Sequence, residues 1–144
     1  TASPKMKVNV GALFKTGGFS ANLRANYYSK TVSLVQPNSA STTVPPILLA
    51  GQRYYLAEVK PAAIVDLELG YDFSDFLNIA VGANNLFNKK PETPPLVADY
   101  NAATWPTTGR SPYINGSGTI GAPYGFGPYG TNGGYYYARL TAKF

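Results

Sequence analysis

Apolar and polar side chains alternate along much of this chain with a period of two, the spacing at which a β-strand points successive side chains to opposite faces. Over residues 5–15, Met6, Val8, Val10, Ala12 and Phe14 fall on one face, and Lys7, Asn9, Gly11, Leu13 and Lys15 fall on the other. Thr16, Gly17 and Gly18 then supply a tight turn. The run that follows sets Phe19, Ala21, Leu23, Ala25 and Tyr27 against Ser20, Asn22, Arg24, Asn26 and Tyr28, so these two strands must be antiparallel. A second pair follows the same logic. Ala63, Val65, Leu67, Leu69 and Tyr71 oppose Ile64, Asp66, Glu68, Gly70 and Asp72, and after a turn at Ser74 and Asp75, Leu77, Ile79, Val81 and Ala83 oppose Asn78, Ala80, Gly82 and Asn84. The last ten residues place Tyr136, Ala138, Leu140, Ala142 and Phe144 opposite Tyr135, Tyr137, Arg139, Thr141 and Lys143. The pattern predicts an all-β chain with antiparallel strands over about 5–15, 19–34, 53–72, 77–87 and 135–144, and long connections over about 36–52 and 88–134.

Charge separates cleanly between the two faces. Lys7, Lys15, Arg24, Asp66, Glu68, Asp72, Arg139 and Lys143 all fall on the second set, and the first set carries no charge in any strand. A charge on the lipid face of a membrane barrel costs about 2–4 kcal/mol at mid-depth, so selection in lipid would leave this distribution. Aromatic residues follow the strand ends. Phe14, Phe19, Tyr71, Phe73, Phe76 and Phe144 gather at one set, Tyr27, Tyr28, Tyr54, Tyr55, Phe87 and Tyr135 to Tyr137 at the other, as the aromatic girdles of a membrane barrel do. Both tight turns fall at the first set of ends and both long connections at the second, which matches short periplasmic turns and long extracellular loops.

Composition narrows the chemistry. Among 144 residues the charged share is only 13%, while Gly (15), Pro (12) and Tyr (12) run high. The net charge of +5 is spread along the chain and makes no basic stripe, so no nucleic-acid partner is expected. Without Cys or His there is no disulfide, no thiolate or imidazole metal site and no histidine-activated nucleophile. Asp66, Glu68 and Asp72 form the one acidic group, and it lacks an evident nucleophile or metal partner, so neither an enzyme nor a cofactor is expected. Thr1 reads as a point in the middle of a longer chain.

The run VGANNLFNKKP at 81–91, containing Asn84, Asn85, Leu86 and Phe87, resembles the G-x-N-N-L-F-[DN]-K segment near the end of TonB-dependent outer-membrane receptors. The run 64–73 resembles the strand before that segment, and 136–144 resembles the family's final strand. The resemblance covers about residues 60–144 well and the first 60 by pattern alone. It implies the last five strands of a plugged transmembrane β-barrel of about 22 strands in the bacterial outer membrane. The remainder of the barrel and the plug would come from the same protein or another chain, since five strands cannot close and open edges in lipid are costly. It also implies a TonB complex engaged through an N-terminal part absent from these residues. The activity implied is energised uptake of a scarce large solute such as an iron chelate, cobalamin or a glycan. Tyr136 and Phe144 belong to a terminal strand that, in the family, the barrel-assembly machinery reads; an interface anchor is the plainer role for Phe144.

Two groups of residues are candidates for function. In the long connection 88–134, Tyr100, Trp105, Arg110, Tyr113, Tyr124, Phe126 and Tyr129 lie on a backbone bent by Gly and Pro. They either stack on sugar rings or planar chelates, with Arg110 pairing a carboxylate or phosphate, or pack among themselves and neighbouring loops. On the charged faces, Arg24 is expected to pair with Asp66 or Glu68 in a lumen-lining network, unless these charges meet water or the plug. Two other readings accommodate parts of the pattern. A soluble all-β carbohydrate-binding module would explain the Tyr/Gly/Pro loop, and a porin or adhesin barrel would explain the belts.

Overall fold

The computed structural model describes residues 3–35, 45–96, 101, 103–104 and 123–144, and the chain there is all-β with antiparallel pairing throughout. Eight strands occur in chain order: β1 Lys7–Thr16, β2 Phe19–Tyr28, β3 Thr31–Val35, β4 Ile47–Leu49, β5 Gln52–Val59, β6 Ala62–Ser74, β7 Leu77–Asn84 and β8 Tyr135–Ala142. They form a five-stranded sheet ordered β1-β2-β6-β7-β8 and a three-stranded sheet ordered β3-β5-β4, each in its own compact unit. The five-stranded sheet is open, with β1 and β8 at the ends of the row, and no closed barrel is formed by the described residues.

Several expected strands divide. The run 19–34 is two strands in two sheets, because Ser29 ends the β1–β2 ladder: its N–H donates to the Met6 carbonyl at 3.0 Å and its hydroxyl accepts from Met6 N–H at 3.0 Å. The run 53–72 divides at Lys60 and Pro61. Proline has no N–H for a ladder, and the Lys60 N–H is taken by Glu92 Oε2 at 3.0 Å. Within the expected loop 36–52, Ile47–Leu49 pairs with β5 through a two-residue turn at Ala50 and Gly51, both with positive φ (49° and 77°). Ala-Gly is a weak sequence signal for that turn, which Asn-Gly or Gly-Gly announces more often.

In the five-stranded sheet the register unites the alternating faces. Val10 stands opposite Ala25, Leu23 opposite Leu67, Leu69 opposite Val81, and Ile79 opposite Leu140. On the other face Gly11 stands opposite Arg24, Arg24 opposite Asp66, Glu68 opposite Gly82, and Gly82 opposite Tyr137. Residues directly opposite each other share a face, so one side of all five strands is free of charge and the other holds every charged strand residue. The apolar side is uncovered: Val10 is 61% exposed, Phe14 58% and Leu140 66%.

Both tight turns lie at one end of this sheet. Thr16 pairs with Phe19 around Gly17 and Gly18, where Gly17 adopts a φ of 54° that favours glycine. Ser74 pairs with Leu77 around Asp75 and Phe76, and a bulge between Asp72 and Ser74 is steadied by Asn78 Nδ2 donating to Asp72 Oδ1 at 2.6 Å.

The three-stranded sheet has its own small core. Ala57 and Val59 of β5 are buried under Tyr124, with Val35, Phe126 and Tyr129 packed against them. Tyr55, also of β5, is fully buried.

Candidate functional site

The charged face of the five-stranded sheet concentrates polar groups around an open pocket of about 230 Å³, lined by Asn22, Arg24, Asp66, Glu68, Asn84 and Tyr137 together with Leu67. Its centre is Glu68 on β6. The Tyr137 hydroxyl donates to Glu68 Oε2 at 2.6 Å, and Arg139 Nη2 donates to Oε1 at 3.1 Å. Tyr137 lies on β8 and reaches Glu68 by crossing β7 over Gly82. A Cβ on Gly82 would collide with the Tyr137 ring, so glycine leaves the aromatic ring its path. Tyr135 stacks beside Tyr137 with ring centroids 6.1 Å apart.

Arg24 stands directly opposite Asp66 across β2 and β6, yet among the described residues it makes no ion pair with Asp66 or Glu68. Arg24, Asp66 and Glu68 line one pocket, and both carboxylates have other partners. Glu68 is taken by Tyr137 and Arg139, and Asp66 Oδ1 accepts the Asn85 N–H at 2.8 Å. Tyr137 and Arg139 were absent from the sequence candidates; their signal was an i, i+2 pair on the charged face of the last strand.

The Asn84-Asn85-Leu86-Phe87 segment has a clear local cause. Asn85 leaves the β-region with a φ of 53° and ends β7, and its side chain then bonds Lys89 twice: Nδ2 to the carbonyl at 2.6 Å, and Oδ1 from the N–H at 2.8 Å. Asparagine tolerates the left-handed conformation and carries both a donor and an acceptor, so it suits this position. Leu86 N–H donates to the Val65 carbonyl at 2.7 Å, and Asn88 N–H to the Asn85 carbonyl at 2.8 Å. The neck of the long connection closes here as well. Gly134 N–H donates to Asn88 Oδ1 at 2.9 Å, and the Tyr136 hydroxyl donates to the Leu86 carbonyl at 3.1 Å. Phe87 is exposed, and Phe144 extends beyond β8 fully exposed.

Of the aromatic loop candidates, Tyr100, Trp105, Arg110 and Tyr113 lie outside the described residues. Tyr124 is 4% exposed, its N–H donates to the Glu92 carbonyl at 2.8 Å, and its ring lies 4.9 Å from that of Phe126. Burial, and secondarily the Glu92 carboxylate, pushes the Tyr124 hydroxyl above its usual 10.0; Tyr129 shifts the same way for the same reasons. Tyr124 therefore packs as core and does not present its ring to a ligand, while Phe126 and Tyr129 pack partly buried beside it.

Among the described residues no three metal-ligating side chains come together, and no helix is long and apolar enough to cross a membrane, which leaves strand crossings open. No family model, characterised protein or solved structure matches the chain.

Proposed function

We propose that the five-stranded sheet is part of an outer-membrane β-barrel of the TonB-dependent receptor kind, serving energised uptake of a scarce large solute such as an iron chelate, cobalamin or a glycan. The observation that carries the membrane reading is the uncharged, exposed apolar side shared by all five strands. Water would be a poor solvent for such a side, and lipid a good one, because hydrocarbon removes the cost of leaving Val10, Phe14 and Leu140 uncovered. Strand length supports the same reading. β1 and β2 have 10 residues each, and a tilted strand needs about 9–11 to cross the hydrocarbon.

The receptor reading rests on the resemblance of 81–91 and of the final strand, and the clip at Asn85 gives that segment a structural purpose. On this reading the charged side lines the lumen, where Glu68, Tyr137 and Arg139 hold three strands together and Arg24 remains available to the plug or to water. Tyr136 and Phe144 would serve recognition by the assembly machinery.

Cell fractionation with a heat-modifiability assay tests the membrane reading: the protein is expected in the outer membrane, migrating faster in unheated than in heated detergent gels. Recovery as a soluble monomer would favour the carbohydrate-module reading and overturn this one. Solute accumulation that survives collapse of the proton-motive force would overturn the receptor assignment while leaving the barrel intact.

A further inference from the structure

Asn85, Asn88 and Asn132 all belong to the neck of the connection 88–134, where the first two are held and the third is left free. Asn85 commits both ends of its side-chain amide to Lys89, and Asn88 Oδ1 accepts the Gly134 N–H at 2.9 Å. Asn132 is exposed, and among the described residues its side chain has no hydrogen-bond partner. The same is true of the N–H of Gly133, which follows it.

An asparagine side chain is open to attack by the backbone nitrogen of the next residue. That nitrogen must be free to lose its proton, and glycine, having no Cβ, hinders its approach least. Asn85 and Asn88 are followed by Leu86 and Lys89, whose N–H groups are donated to the Val65 carbonyl at 2.7 Å and to Asn85 Oδ1 at 2.8 Å. Both nitrogens are therefore tied down and carry side chains. At Asn132 neither restraint operates.

Packing also keeps the glycine in place. Gly133 has a φ of 81°, and a Cβ there would collide with Asn88 Oδ1 and stand 2.7 Å from Lys90 Cε. A bulkier residue that would slow the attack is thus excluded from the neck. Lys90 lies against the same glycine, and a nearby ammonium favours the negative charge that develops as the nitrogen gives up its proton.

We propose that Asn132 is a site of spontaneous modification, deamidating through a succinimide. The Gly133 nitrogen bonds to Asn132 Cγ, the bond from Cγ to the amide nitrogen breaks, and ammonia leaves with the proton that the glycine nitrogen lost. Water then opens the ring at either carbonyl and gives aspartate or isoaspartate. Both products add a carboxylate near Lys90. Isoaspartate also routes the main chain through the side-chain methylene, lengthening it just ahead of the Gly134 N–H that closes the neck on Asn88. That bond depends on the spacing, so isoaspartate unfastens the neck and aspartate leaves it closed. The inference stands on the neck residues alone, apart from the membrane reading.

Incubation of the folded protein in heavy-oxygen water at mildly alkaline pH, followed by digestion and peptide mass spectrometry, tests it. The expected result is exchange of NH2 for OH at Asn132, carrying one heavy oxygen and divided between isoaspartate and aspartate, while Asn85 and Asn88 stay amides. Asn132→Gln, whose longer side chain would have to close a larger ring, should remain unmodified at that position. An Asn132 that keeps its amide in the folded protein for as long as the urea-unfolded protein needs to convert it would overturn the proposal, as would conversion of Asn85 or Asn88 ahead of it. Hydrogen exchange at the Gly134 N–H reads the consequence: it should quicken in the isoaspartyl form and stay unchanged in Asn132→Asp. Equal exchange in all three forms would overturn the unfastening of the neck.

Discussion

The two sheets use the same alternation and treat its apolar half in opposite ways. In β5, every second residue from Tyr55 to Val59 is buried, and the loop residues Tyr124, Phe126 and Tyr129 pack onto Ala57 and Val59. In β1, all ten residues are exposed, the aliphatic ones included. The small sheet is supplied with its own core by the chain. Among the described residues no such cluster covers the five-stranded sheet, and on the proposed reading its apolar side meets lipid. A period of two reports which residues share a side; what lies on that side depends on whether other parts of the chain return to cover it.

The contrast breaks most visibly under charge. Val10→Arg combined with Leu140→Arg is expected to abolish the heat-modifiable form, at about 2–4 kcal/mol for each charge in mid-bilayer, whereas Asn9→Arg on the opposite side should leave it intact. Quantitative gels of unheated membranes read both. The small sheet should respond to a cavity in place of a charge: Tyr124→Ala is expected to cost about 3 kcal/mol locally. Faster proteolysis within 30–60 and 123–131, with the five-stranded sheet unchanged, would report it.

The same cluster should loosen in alkali. The Tyr124 hydroxyl is held above 10.0 in the folded unit, chiefly by burial and then by Glu92, so the folded state retains its proton longer than the unfolded one. That contribution to stability is complete below pH 10.0 and disappears as pH rises through the folded value. Proteolytic protection of the loop unit should fall over that window before the sheet responds.

Asn85→Ala should cost about 1–3 kcal/mol, since it removes two hydrogen bonds to Lys89 and puts a poorly suited residue at positive φ. Asn85→Gly restores the backbone freedom alone, and the difference in the temperature at which heat-modifiability is lost separates the two causes. Smallest is Arg139→Ala, expected to cost about 0.2–1 kcal/mol because the ion pair with Glu68 is half exposed. Glu68 keeps its Tyr137 hydrogen bond in that variant.

Which residues share each side of the large sheet was readable from Val8 to Leu140, because a strand's period is independent of its neighbours. The breaks at Ser29 and Pro61 and the short β4 were not, since they depend on which segment takes each backbone group. Arg24 illustrates the same limit in the site. Its position opposite Asp66 followed from the hairpins, but Asp66 bonds Asn85 and Glu68 is taken by Tyr137, which reaches across two strand spacings because Gly82 carries no side chain. For Tyr124, the sequence left both stacking on a ligand and packing within the loop open; its ring is buried beside Ala57 and Val59, which depends on where β5 lies.

Site-directed spin labels placed one at a time from Lys7 to Phe14, in the protein within its own membrane, probe the central claim most directly. Accessibility to oxygen, which concentrates in lipid, should peak at positions 8, 10, 12 and 14, with a water-soluble relaxing agent peaking out of phase at 7, 9, 11 and 13. Equal access of the water-soluble agent to both series, or loss of both reagents at the even positions as in a protein core, would contradict a lipid-facing sheet.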